Sequence, residues 1–310
     1  MKNKNIKILD CTLRDGGYLI DWEFGKNKIQ SIINNLAQGN IDFIECGFLK
    51  EDLYDENKSF YSSISELEKL VTKSQNYTLM INFGEYDIKN FSVCKNKNIK
   101  IRLAFKKNNQ KEALEYIFEL KKLGWDVFAN PMSTNTYSEK ELFDLIKIFE
   151  FIDKFLDKKI AIGFHSHNSM QLSFSNTKAL LKMNLDRILI IDSCLYGMGR
   201  GAGNLCSELI IKYINDFYNS EYKILPILKS IDEDLKPIYE KSPWGYSTPY
   251  YIAAINGCHP NYAGFLVKKS YSDEEINRIL SNIPQYKKTS YDKDLIEDLA
   301  KKLFTSFSLV

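Results

Sequence analysis

The stretch Ile160-Ala161-Ile162-Gly163-Phe164-His165-Ser166-His167 decides how this chain is read. A short apolar run with β-branched residues is the pattern of a buried strand, and two imidazoles stand at its C-terminal end. On extended backbone, residues i and i+2 share a face, so both rings can converge on one ion. The alternative is a pair of unrelated surface histidines. The chain holds only 3 histidines among 310 residues, and two of them at this spacing favour the metal reading.

Working outward, similar short runs alternate with amphipathic stretches, the signature of a parallel α/β domain. The strand runs are Ile6–Cys11, Asp42–Gly47, Thr78–Phe83, Ile99–Phe105, Asp126–Asn130, Ile160–His165 and Arg187–Asp192. Helical patterns lie between them at Lys26–Gly39, Ser62–Lys73, Lys111–Leu123, Glu139–Phe155 and Leu172–Met183. The pattern predicts a TIM-type (β/α) barrel that lacks one βα unit. Ile148–Asp153 alternates weakly but reads as helix, so seven strands surround the core. A seven-membered ring must either close imperfectly or leave an edge that another chain could cover, as in a homo-oligomer. Residues 1–215 make up this barrel. Residues 216–310 are expected to form a C-terminal helical region that covers the barrel mouth, with helices at Leu225–Glu240 (interrupted at Pro237), Asp273–Asn282 and Asp292–Phe304.

Composition narrows the function. Hydrophobic residues at 44% and charged residues at 26% match a soluble globular protein. A net charge of +2 gives no reason to expect nucleic acid or an anionic membrane as partner. No apolar run approaches the roughly 20 residues needed to span a bilayer, and Met1-Lys2-Asn3-Lys4-Asn5 is not followed by an apolar leader. The 6 cysteines are scattered without a C-x-x-C pair, which fits reduced thiols in the cytoplasm.

Two further segments carry chemistry. Asp10-Cys11-Thr12-Leu13-Arg14-Asp15-Gly16-Gly17 ends the first strand run and offers a carboxylate beside a fixed cation. Taken alone it is better read as a turn in which Arg14 and Asp15 pair with neighbours. Gly197-Met198-Gly199-Arg200-Gly201-Ala202-Gly203-Asn204 follows the seventh strand run. Its glycines let backbone approach a ligand, and a phosphate cradle is an equally fair reading, although the Lys-Ser/Thr ending of a P-loop is missing.

Together these segments, with Phe43-Ile44-Glu45-Cys46-Gly47-Phe48, resemble the metal-dependent aldolase and lyase superfamily of TIM barrels related to 3-hydroxy-3-methylglutaryl-CoA lyase. Gly163–Asn204 is most similar to its 4-hydroxy-2-oxovalerate aldolase branch. The resemblance implies that Asp15, His165 and His167 bind a divalent ion, with Asn204 a weaker candidate ligand. It also implies that Arg14 faces the keto or enolate oxygen of the substrate and that Glu45 hydrogen-bonds in the inner site; a buried structural pair is an equal reading for Glu45. Mn²⁺ or Mg²⁺ suits such a donor set, and the two imidazoles lean towards Mn²⁺ or Co²⁺.

One departure concerns the base. The aldolase branch carries a histidine shortly after its Arg-Asp pair, where this chain has Tyr18. Tyr246, in a segment similar to one that delivers a tyrosine to the aldolase site, and His259 are the other proton-transfer candidates. For Tyr246 plain packing is the bland reading, and for His259 a structural role. The implied function is a divalent-metal aldolase cleaving a 4-hydroxy-2-oxo acid through a pyruvate enolate. The alternatives are a Claisen-type acyltransferase using acetyl-CoA and a 2-oxo acid, and a non-catalytic barrel that keeps the metal site.

Overall fold

The computed structural model describes residues 5–132, 159–183 and 185–304. The strands are β1 (Ile6–Asp10), β2 (Phe43–Leu49), β3 (Phe60–Tyr61), β4 (Asn76–Asn82), β5 (Ile99–Phe105), β6 (Val127–Pro131), β7 (Ile162–Phe164) and β8 (Leu189–Ser193). Seven of them run in the order β6-β5-β4-β2-β1-β8-β7, while the two-residue β3 pairs with β2 outside this path. Every pairing is parallel. This is a TIM-like (β/α) sheet of seven strands, and β6 and β7 form its two edges among the described residues. Ile148–Asp153 and Glu139–Phe155 lie outside the described residues.

Alternation along the strands separates two apolar layers. In β5, Ile99, Ile101, Leu103 and Phe105 join the large core between sheet and helices. Arg102 and Ala104 take the other parity and point inside the sheet's curve, where Ala104 packs with Phe48 and Met80. Likewise Leu9, Phe43 and Ile190 fill the interior, while Ile8, Ile44 and Ile191 pack outward. Period two therefore directs Glu45 and Asp192 inward with Phe43 and Ile190. A register shift between Glu45 and Phe48 then adjusts the end of β2.

Helix Lys26–Gln38 forms because Ile29, Ile32, Ile33 and Leu36 repeat at helical spacing and are buried on one face. The helix expected over Ser62–Lys73 is shorter, at Ile64–Glu68. A Ser63–Glu66 capping box starts it. Farther on, the Leu70 carbonyl accepts from Gln30 Nε2 at 3.0 Å and the Thr72 amide donates to Tyr77 Oη at 3.2 Å, so the chain leaves the helix to meet those partners. The expected break at Pro237 is also modified. Helix Ile224–Ser230 widens into a π-turn at Ile231–Leu235 and continues through Lys236–Tyr239. The Glu233 carbonyl, which a proline four residues later cannot serve, accepts from Lys28 Nζ at 3.4 Å.

The C-terminal region divides by packing. Ile227, Ile231, Leu235 and Trp244 belong to the core that covers the sheet. From Ala253 onward a second core gathers Tyr262, Leu266, Ile276, Ile279, Leu280 and Ile296. Helices Thr248–Ile255 and Pro260–Lys268 lie in this part, where the sequence shows only a Tyr- and Ala-rich run. Each starts with Pro in its first turn, which costs no hydrogen bond there. No helix among the described residues is long and apolar enough to cross a membrane.

Ile32 is fully buried on the inner face of the Lys26–Gln38 helix. Ile32→Ala should therefore lower unfolding free energy by about 2–5 kcal/mol, as read from urea denaturation.

Candidate active site

The C-terminal ends of β1, β7 and β8, with the inward positions Glu45 of β2 and Arg102 of β5, bring the candidate residues to one mouth. Local bonding shapes the turn after β1: Asp10 Oδ1 accepts from the Thr12 amide at 3.0 Å, and Ser207 Oγ donates to Asp10 Oδ2 at 2.7 Å. Burial lifts the Asp10 carboxyl to about 6. Thr12 Oγ1 in turn accepts from the Leu195 amide at 2.8 Å, which ties the β1 turn to the loop after β8. Trp22 Nε1 donates to the Arg14 carbonyl at 2.7 Å and fixes the far side of the turn.

Two buried guanidiniums organise the site. Arg14 donates through Nε to Glu45 Oε2 at 2.7 Å and through Nη1 to Asp15 Oδ1 at 2.5 Å. Arg102 donates through Nη2 to Asp192 Oδ2 at 2.5 Å and to Asn130 Oδ1 at 2.9 Å, and its Nη1 lies 3.5 Å from Glu45 Oε1. Glu45 is thus a buried bridge between the two arginines. Burial alone would raise the Asp15 carboxyl, but the Arg14 cation, followed by His167 and His165, holds it well below the usual range. Asp192 is likewise kept low against its burial, chiefly by Arg102.

Asp15, His165 and His167 each offer a ligand atom within 4.8 Å of the other two. The two imidazoles stand edge to face with centroids 5.0 Å apart. His165 Nδ1 lies 3.1 Å from Asp192 Oδ2. Burial pulls this imidazole down, but the bond to Asp192, and then contact with Cys11, outweigh it and lift it to about 10. His167 sits at the exposed rim, and its backbone bridges to Asn204. Asn204 Nδ2 donates to Asp15 Oδ2 at 2.5 Å and to the Met198 carbonyl at 3.1 Å. Its Oδ1 is buried without a partner. A carboxylate, two imidazoles and an orphaned amide oxygen form a donor set that fits a divalent cation.

The glycine-rich loop packs tightly here. A Cβ on Gly199 would lie 2.2 Å from Asn204 Nδ2 and 3.1 Å from Asp15 Oδ2, so a side chain at this position would displace the site. A Cβ on Gly203, where φ is +77°, would lie 2.3 Å from the Gly197 carbonyl. Beyond the loop, Pro260 and Tyr250 approach Gly201, and Trp244 approaches Gly203. The C-terminal helices therefore rest on the rim of the mouth.

Tyr18 belongs to that mouth. Its ring packs on Trp22 at 4.6 Å, and burial, ahead of the opposing Arg14 and Arg200 cations, raises its hydroxyl above the ordinary value. His259 lies within reach of the Arg200 charge; burial first, and then Arg200, lower its imidazole to about 4. His259 Nδ1 accepts from the Asn261 amide at 3.2 Å and caps the following helix. Tyr246 is not brought to the cluster: it is 53% exposed, its ring packs on Tyr251 at 6.4 Å, and no hydrogen bond joins it to the site among the described residues.

Arg102, Asp192 and the buried thiols Cys11 and Cys194, whose sulfurs lie 3.3 Å apart, complete the site and were not read from sequence. An arginine at an inward position of an otherwise apolar strand was the available signal for Arg102. With Asp192 as the main support for a protonated His165, Asp192→Asn should bring the His165 titration in metal-free protein down from about 10 towards neutrality. Histidine ring NMR across pH checks this. Stability that His165 contributes through its raised value is fully present below about 6.5 and is lost as pH rises through about 10; the variant should lose that alkaline limb.

The chain is similar to several known proteins. A 4-hydroxy-2-oxovalerate aldolase from Chloroflexus aurantiacus is 22% identical over 96% of this chain and 95% of its own length. One from Moorella thermoacetica is 20% identical over 98% of both chains. The solved N-terminal domain of a proposed aldolase from Bacteroides vulgatus superposes with a TM-score of 0.65 at 26% identity, covering 88% of this chain and 99% of that one. The carboxyl transferase domain of Rhizobium etli pyruvate carboxylase shares the fold, with a TM-score of 0.64 at 12% identity over 98% of this chain and 62% of that one. The model of the HMGL-like family matches residues 57–217, more than half of the molecule, and the chain belongs to that family.

Proposed function

We propose that the protein is a divalent-metal-dependent aldolase that cleaves the C3–C4 bond of a 4-hydroxy-2-oxo acid to pyruvate and an aldehyde. The observation that carries this reading is the convergence of Asp15, His165 and His167 beside the Arg14 guanidinium. Aldolase relatives matched along nearly the whole chain support it. Asp15, His165 and His167 would hold the ion, with Asn204 Oδ1 beside them; Mn²⁺, Mg²⁺ or Co²⁺ would act there as a Lewis acid towards the 2-oxo acid oxygens.

The chain's own groups supply the rest. Arg14 has Nε committed to Glu45 and Nη1 to Asp15, which leaves Nη2 for the oxygen on which enolate charge develops. Such a preset cation stabilises the transition state without reorganising. Glu45 and Arg102 hold it in place from behind. Asp192, 3.1 Å from His165 Nδ1, would fix the orientation of that imidazole as a ligand.

The proton of the 4-hydroxyl needs an acceptor. Tyr18, with its hydroxyl raised by burial, keeps its proton at neutral pH and serves as a donor. Tyr246 stands away from the cluster. His259 remains neutral at pH 7 and lies on the helices that rest on the glycine loop. Because its Nδ1 accepts from the Asn261 amide, its Nε2 carries the ring proton and offers a donor, so the acceptor is a water held at the mouth. The same helices shield the enolate from water.

The test is pyruvate release from a panel of 4-hydroxy-2-oxo acids, read by coupled NADH oxidation, alongside metal analysis. His165→Ala and His167→Ala should each lose stoichiometric metal and activity; full metal occupancy in both would refute the ligand assignment. Arg14→Lys keeps the charge but loses the fork, and kcat should fall by about 100-fold with little change in KM. His259→Ala should lower turnover at unchanged metal content.

A further inference from the structure

Three arginines surround the mouth, and two of them are matched by carboxylates of the chain: Arg14 by Asp15 and Glu45, Arg102 by Asp192 and Glu45. Arg200 is different. Among the described residues it makes no ion pair and no side-chain hydrogen bond, and its Nε is buried without a partner. Its guanidinium carbon lies 4.8 Å from the centroid of the Tyr18 ring, so the ring's face steadies the cation while its edge nitrogens stay unmatched.

The loop places this cation beside the reacting centre. Gly199, the preceding residue, lies so close to Asp15 that a Cβ there would be 3.1 Å from Asp15 Oδ2. Gly201, the following residue, has φ +69° and meets Pro260 and Tyr250 of the C-terminal helices. Arg200 is thus held between the β1 turn and those helices. Its charge is felt by Tyr18, His167 and His259, which places it over the same opening. A half-buried guanidinium without a counter-ion is a costly arrangement unless a ligand supplies the anion.

We propose that Arg200 is a specificity residue that binds a second carboxylate, on the substrate carbon chain beyond C4. The inference deepens the aldolase reading and rests on it for the reaction. The substrate class becomes 4-hydroxy-2-oxo dicarboxylic acids. Cleavage breaks the C3–C4 bond, the electron pair passes to the enolate of pyruvate, and the 4-hydroxyl proton goes to the base. The aldehyde product leaves with the second carboxylate, and the enolate takes up one proton at C3 to give pyruvate. One planar fork suits the single charge and two oxygens of a carboxylate, whereas a phosphate presents three oxygens and nearly two charges. Tyr18 supports the fork by stacking.

Binding without turnover tests this. Isothermal titration of the full chain in Mn²⁺ buffer compares 2-oxoglutarate with 2-oxopentanoate, which lacks the second carboxylate. The wild-type protein should bind 2-oxoglutarate about 10-fold or more tightly than 2-oxopentanoate. Arg200→Gln should reduce that ratio to near one, and Arg200→Lys should retain part of it, which separates recognition from a folding defect. Equal affinities in the wild-type protein, failure to bind 2-oxoglutarate, or a ratio unchanged in Arg200→Gln would each overturn the proposal. A preference for 2-oxoglutarate that depends on Arg200, found together with no cleavage of any 4-hydroxy-2-oxo acid, would support Arg200 as the carboxylate site and reject the aldolase reaction instead.

Discussion

Arg14 is the residue on which the site depends. Its guanidinium bonds to Asp15 and Glu45 at once, and all three side chains are almost fully withdrawn from water. Burying an ion costs several kcal/mol, and only good geometry with saturated hydrogen bonding recovers it. Glu45 therefore faces two cations, Arg102 takes Asp192 as well as Glu45, and Asp192 engages His165. Each member is held by the need to compensate the next. Three carboxylates set against two guanidiniums leave one negative charge within this group, and a cation at His165 or at the Asp15–His165–His167 cluster balances it.

The fold makes such a group affordable. Parallel strands buried on both faces normally carry apolar side chains throughout. Here the inward positions of β2, β5 and β8 instead hold Glu45, Arg102 and Asp192. The outward positions are filled by Ile44, Ile101 and Ile191 in the main core. The large apolar layer stabilises the sheet, and the smaller inner face is free to hold charge. Chemistry can be concentrated inside the strands' curve because stability comes from outside it.

The loop after β8 connects this inner charge to the C-terminal helices. Gly199 and Gly203 permit close approach to Asp15, Asn204 and the Gly197 carbonyl, while Pro260, Tyr250 and Trp244 press on the loop from the other side. The helices from Thr248 onward are therefore more than an appendage with its own core. They complete the wall of the mouth, with His259 set at the start of the Pro260–Lys268 helix.

Much of this was legible in the residue order. Short β-branched runs located the seven strands of the main path to within a few residues, because buried strands leave a local pattern. The pairing of His165 with His167 was legible because a short sequence interval at a strand's end fixes the relation between the two rings, whereas Asp15 was singled out by the family resemblance, since its own segment reads as a turn. Arg102 and Asp192 were not, since each acquires its role from a partner on another strand. The helix at Thr248–Ile255 was hidden by its Tyr- and Ala-rich composition, and the sequence left Tyr246 between a site role and plain packing, while the fold leaves it 53% exposed. Sequence by itself determined the alternation of strands and helices and the residue types at the strand ends, which depend on neighbours along the chain. Tertiary structure alone decided which charges compensate one another, and that Arg200 is left without a counter-ion among the described residues, because Coulomb energy depends on separation in space and on burial.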